Sequence, residues 1–100
     1  MNEQTGVTAS IQERFGQDQI IVQPTCDGIT TLWVPFAKAP EILRYLKERI
    51  SEPFRVLYDL TAIDERTRSH RQGQPESDFT VVYHLLSYER NADIRIKTAL

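Results

Sequence analysis

The chain has 100 residues, a formal net charge of −2, and 27 residues that are Leu, Ile, Val or Phe. That suits one domain with one modest core. It excludes the basic excess of a nucleic-acid binder, and no apolar run approaches the ~18 residues that cross a bilayer. The start, Met1-Asn2-Glu3-Gln4, has neither the basic nor the apolar region of a secretory signal. The single cysteine, Cys26, excludes an internal disulfide, a four-thiolate iron–sulfur cluster and a Cys-rich zinc site.

In chain order, Thr8 to Phe15 reads as a short helix. Ser10 and Glu13 have capping-box spacing, with Thr8 as a competing cap, and Gly16 suits the position just past the end. Ile20-Ile21-Val22 is a β-branched strand signal; Pro24 through Gly28 is a turn that holds Cys26; Thr30 to Val34 is a second strand. The two make a hairpin. Pro40 suits the first turn of the next helix, whose Ile42, Leu43, Leu46 and Ile50 form one apolar stripe. Ser51-Glu52-Pro53 stops it.

Phe54 to Ile63 reads as a long strand, with Phe54, Val56, Tyr58 and Leu60 alternating against Arg55, Leu57, Asp59 and Thr61. Asp64 to Asp78 is a polar loop, long for a hairpin, and is expected to be the most mobile internal segment. Phe79 to Tyr88 is the most apolar strand, and Ile94 to Lys97 alternates as the last. The order α-β-β-α-β-β-β groups its elements. It predicts an α+β, two-layer α/β sandwich: a mixed, mostly antiparallel five-stranded sheet with two helices on one face.

Candidate chemistry is sparse. Tyr58, Asp59, Tyr83 and His84 lie mid-strand on strands expected to be neighbours, so a His–Asp or Tyr–His contact depends on register. A carboxylate-paired histidine could act as a base. Mid-strand positions give substrate poor access, however, and a structural His–Tyr hydrogen bond is the preferred reading. His70 and His84 are the only histidines and have no metal-ligand spacing; the four glycines are isolated and form no phosphate loop. Arg66, Arg68, His70 and Arg71 make a basic run broken by Glu65 and followed by Glu76 and Asp78, which reads as a solvated loop. No catalytic, cofactor-binding or metal residue is assigned.

Two helices cover one face of such a sheet. The face bearing Phe79, Val81, Leu85, Ile94 and Ile96 is expected beneath them, with Leu60 on the side of Phe54 and Val56, and Leu57 and Ile63 opposite. The candidate partner interface is then the other face of the apolar strand: Val82, His84, Leu86 and Tyr88. A bare patch of this kind would make the isolated chain a homodimer.

The run Leu57-Tyr58-Asp59-Leu60-Thr61-Ala62-Ile63-Asp64, then Phe79-Thr80-Val81-Val82-Tyr83-His84-Leu85-Leu86-Ser87, then Ile94-Arg95-Ile96-Lys97, resembles the C-type subunit of the proton-pumping NADH:quinone oxidoreductases, the respiratory complex I family. The resemblance is strong over the last half of the chain and extends to layout in the first. It implies a non-catalytic structural and assembly component of the peripheral arm, on the cytoplasmic side of the inner membrane, packed above all on the D-type subunit. The flavin, iron–sulfur clusters, NADH and quinone would belong to the whole complex and not to this chain. The family continues with a Glu-Arg-Glu-x-x-Asp-type stretch that is absent here, and Thr98-Ala99-Leu100 is still strand-like. Both imply an N-terminal part of a longer C-type polypeptide or C–D fusion. The alternatives are a stand-alone small-ligand-binding domain that dimerises through its sheet, and a small enzyme using His84.

Overall fold

A computed structural model describes residues 3–66, 75 and 77–100. Most of the segment expected to be mobile, residues 67–74 and 76, lies outside them. Helix α1 spans Glu3–Phe15, β1 Ile21–Val22 and β2 Thr30–Trp33. A 3-10 turn, Phe36–Lys38, leads into α2, Ala39–Arg44, which runs on as a π turn over Tyr45–Arg49. Strands β3 (Val56–Asp64), β4 (Phe79–Ser87) and β5 (Ala92–Ala99) follow. The element order and the mixed five-stranded sheet are those expected.

The strand order is β1-β2-β5-β4-β3. All neighbours are antiparallel except β2 and β5, which run parallel with Leu32 opposite Ile96. β5, last of the five in sequence, is therefore the central strand. Both helices lie on one face. Val7 and Ile11 of α1, with Ala39, Ile42 and Leu46, pack on Leu32, Val34, Leu85, Ile94 and Ile96. Burying a side chain of this size is worth about 1.5–3 kcal/mol, which makes this cluster the main source of stability.

α1 begins five residues earlier than its capping signals suggest. Ser10 is an interior residue, and its hydroxyl contacts the Tyr45 hydroxyl at 3.0 Å, tying α1 to α2. Gly16 does end the helix, with a positive φ of 109° and its N–H on Gln12 O at 2.8 Å. Phe54 precedes β3 rather than joining it. It is buried in the core, and its N–H donates to Leu46 O at 2.8 Å. Asp64 closes β3, so the expected loop begins one residue later, and Glu65 is buried against Thr80.

One correction concerns the faces of β3. Leu57 stands opposite Leu85 and Leu60 opposite Tyr83, with a register shift between Leu57 and Asp59. One extra residue is accommodated there, so alternation changes phase. Leu57 and Leu60 both fall on the helix side, while Val56, Thr61 and Ile63 pair with Leu86, Val82 and Thr80 on the other. Unbroken alternation had separated Leu57 from Leu60. Phe79 also departs from expectation: it has the right parity for the helix side but stays 39% exposed, beyond the reach of the helices.

Candidate partner interface

Pairing with Arg95 and Lys97 places His84 and Val82 on the helix-free face, and alternation adds Leu86. The four expected interface residues differ in their surroundings. Val82 is 8% exposed, whereas Leu86 and His84 are half-buried; Tyr88, in the β4–β5 turn, is 78% exposed.

His84 is held by polar neighbours. The Tyr58 hydroxyl lies 2.7 Å from His84 Nε2 and donates to Asp93 Oδ2, also at 2.7 Å. With the phenol proton on Asp93, the phenol oxygen accepts from Nε2–H. Nε2 is itself 3.3 Å from Asp93 Oδ2, and the two rings stack at a 4.3 Å centroid distance. The register shift makes this possible by setting Tyr58 and Asp59 together against His84. Asp93 stabilises the phenol form of Tyr58 through this hydrogen bond and its charge, and with desolvation it raises the Tyr58 pKa above the usual tyrosine range. The arrangement satisfies three polar groups on a sheet surface. The expected structural His–Tyr contact is what the strands assemble, with Asp93 as a third member.

The neighbouring part of this face is closed by its own side chains. Trp33 is 2% exposed; its indole N–H donates to Gln23 Oε1 at 2.7 Å, and the Lys97 ammonium sits 5.5 Å from the ring centroid. Arg95 bonds Asp27 at 2.5 Å, which holds the Asp27 carboxyl down to about 2. The Thr80 hydroxyl donates to Glu65 at 2.6 Å, burying both.

A second exposed surface lies on the helix side, where β3 forms the sheet edge. Leu57 and Leu60 are 51% and 56% exposed there. Leu57 opens onto an apolar cleft of about 250 Å³ lined also by Leu43, Phe54, Tyr83 and Leu85, with Lys47 and Arg55 at its margin. Sequence reading missed this surface because its leucines share a face only after the register shift. Among the described residues no group of three or more His, Cys, Asp or Glu side chains could hold a metal ion, and Cys26 is exposed in its turn. These residues do not make a ligand set for an iron–sulfur cluster.

Comparison with known proteins fits a chain whose distinctive features are surfaces. The family model of the respiratory-chain NADH dehydrogenase 30 Kd subunit matches residues 32–100. The chain is 51% identical over 94 residues to the C/D fusion protein of the NADH-quinone oxidoreductase of Methylococcus capsulatus, covering 94% of this chain and 16% of that protein. It is 59% identical over 80 residues to the C/D protein of Nitrosospira multiformis, covering 80% and 13%. Against that of Azotobacter vinelandii it is 49% identical over 94 residues, covering 94% and 16%. The chain thus spans about one-sixth or less of the length of these relatives. The match across β2 to β5 and the agreement with these relatives over nearly its whole length show that the chain belongs to the family of the respiratory-chain NADH dehydrogenase 30 Kd subunit.

Proposed function

We propose that this chain is a non-catalytic structural and assembly module of the peripheral arm of an NADH:quinone oxidoreductase. It is part of a longer polypeptide, of the C type or a C–D fusion, and contacts the D-type subunit. The observation that carries the reading is the family match over residues 32–100, with relatives named as C/D proteins of the same oxidoreductase. Its surfaces agree. The leucine-lined edge of β3 and, beyond buried Val82 and half-buried His84 and Leu86 of the interface, Tyr88 in the β4–β5 turn leave large side chains exposed. Electron transfer from NADH to quinone, coupled to proton translocation, belongs to the whole complex with its flavin and iron–sulfur clusters. This chain supplies shape. No helix of the described residues is long and apolar enough to cross a membrane. A peripheral position on the cytoplasmic side of the inner membrane, held through the complex, follows from this reading.

The test is co-purification. The polypeptide carrying an affinity tag is expressed in its own host, and membranes are solubilised mildly. The chain is expected to elute with NADH:quinone oxidoreductase activity and with the sequence of the D-type subunit. Elution free of both would refute the proposal.

A further inference from the structure

We propose that the junction of α1 and α2 is a binding site for a phosphate group, held by Arg14, Arg44 and Arg49. A cleft of about 230 Å³ opens there, lined by these three arginines with Phe15, Tyr45 and Glu41. It lies on the helices, away from the sheet faces discussed above.

Three observations converge. First, none of the three guanidinium groups is hydrogen bonded or ion paired among the described residues. The other arginines among the described residues differ: Arg55, Arg66 and Arg95 hold carboxylates, and Arg90 holds backbone carbonyls.

Second, the cleft has a fixed aromatic wall. Arg14 lies 5.1 Å from the Tyr45 ring centroid and 6.0 Å from that of Phe15. The two rings meet edge to face at 5.8 Å, and the Tyr45 hydroxyl is anchored on Ser10. Stacking positions the guanidinium while leaving its in-plane N–H donors free.

Third, the backbone is irregular where it places the other two arginines. In an α-helix, residues five apart point about 140° away from each other. Across the π turn the hydrogen bond closes over five residues, as in Ile50 N–H to Tyr45 O at 3.1 Å. Residues five apart are then drawn toward the same side of the helix, and Arg44 and Arg49 line the same cleft. Such turns are uncommon and concentrate at functional sites.

The ligand class follows from charge and shape. Three guanidinium groups and the Glu41 carboxylate leave a formal +2, the complement of a phosphate monoester at about −1.5 to −2. A phosphate presents three acceptor oxygens to three forks, whereas a carboxylate would fill one. The carbonyl end of α1 would repel an anion. Lys38 offsets this by donating its ammonium to Phe15 O at 3.1 Å. A free phosphorylated metabolite and the monoester headgroup of phosphatidic acid offer the same chemistry.

The experiment is arginine footprinting on the full polypeptide in its native assembly. Phenylglyoxal labelling is read by mass spectrometry without addition, with inorganic phosphate or pyrophosphate, and with phosphatidic acid vesicles or, as a diester control, phosphatidylcholine vesicles. Labelling of Arg14, Arg44 and Arg49 should slow several-fold with ligand, while Arg55 stays unchanged. Protection by the free anions assigns a soluble ligand; protection by phosphatidic acid vesicles alone assigns a headgroup. Arg44→Ala and Arg49→Ala should each weaken binding roughly tenfold or more. Arg49→Lys, which keeps the charge and the fold but loses the fork, should fall between, and Glu41→Gln should tighten binding. Equal protection of Arg55, no protection by any addition, or a cleft that never reacts would each overturn the proposal.

Discussion

The sheet has two halves that experience different physics. Under the helices, β2 and β5 place Leu32, Ile94 and Ile96 in a closed core, each 1% exposed or less. Beyond the helices, β3 is exposed or half-buried along its whole length, and Leu57 and Leu60 remain in solvent. The strands of both halves are rich in the same residue types. What separates them is the reach of two helices, which cover about three strands and end over β4. The covered half therefore carries the stability of the chain, and the open half carries the surface available to a neighbour.

The contrast breaks most readily at the core. Ile42→Ala, at a side chain with no solvent exposure, should cost about 2–5 kcal/mol in urea unfolding. A loss under about 1 kcal/mol would show that the helices are not the stabilising layer. Next in size is the polar anchor at the far end of the open half. Thr80→Val removes a buried 2.6 Å hydrogen bond to Glu65 and should cost about 1–3 kcal/mol. An unchanged unfolding midpoint would mean that Glu65 rearranges freely.

A third test sharpens the contrast through pH. Because the Tyr58 pKa is raised in the folded state, its hydrogen bond to Asp93 contributes fully below the ordinary tyrosine range. The contribution is lost as pH rises through the raised value. Tyrosinate absorbance should show Tyr58 titrating later than an unstructured tyrosine, and Asp93→Asn should bring it earlier. Coincident titration in the two proteins would remove Asp93 from the account. The smallest effect belongs to the open leucines. Leu60→Ala should change the stability of the isolated chain by no more than about 0.5 kcal/mol. A loss above about 1 kcal/mol would place Leu60 inside the core after all.

Sequence and structure agree where local signals add up. The β1–β2 hairpin, the apolar stripe of α2 and the three long strands follow from periodicity and turn residues, and so do the single helical layer and the sheet's mixed character. Three features escaped for identifiable reasons. Ser10 and Glu13 have the spacing of a cap, but the same spacing fits a helix interior, and Ser10 finds Tyr45 instead. The π turn is invisible because Ile42, Leu46 and Ile50 satisfy a continuous helical stripe equally well. The register shift at Tyr58 and Asp59 leaves no mark on β3 itself, since it exists only relative to β4. At the candidate site, Tyr58 and His84 were legible as partners pending register. Asp93 was less legible because it adjoins the turn before β5, although its parity with Arg95 places it on the same face.

The central position of β5 bears on how the chain acquires its structure. The β3–β4 hairpin is local in sequence, and so is the pairing of β1 with β2. They are joined only when Ala92–Ala99 enters between them, pairing Thr30 with Ile94 across the longest sequence separation in the sheet. Such distant contacts slow the search for the native state. On the ribosome, both sides must wait as separate pieces with apolar surface showing until residue 99 leaves the exit tunnel. During that interval chaperone binding should be strongest, and pausing of synthesis most damaging.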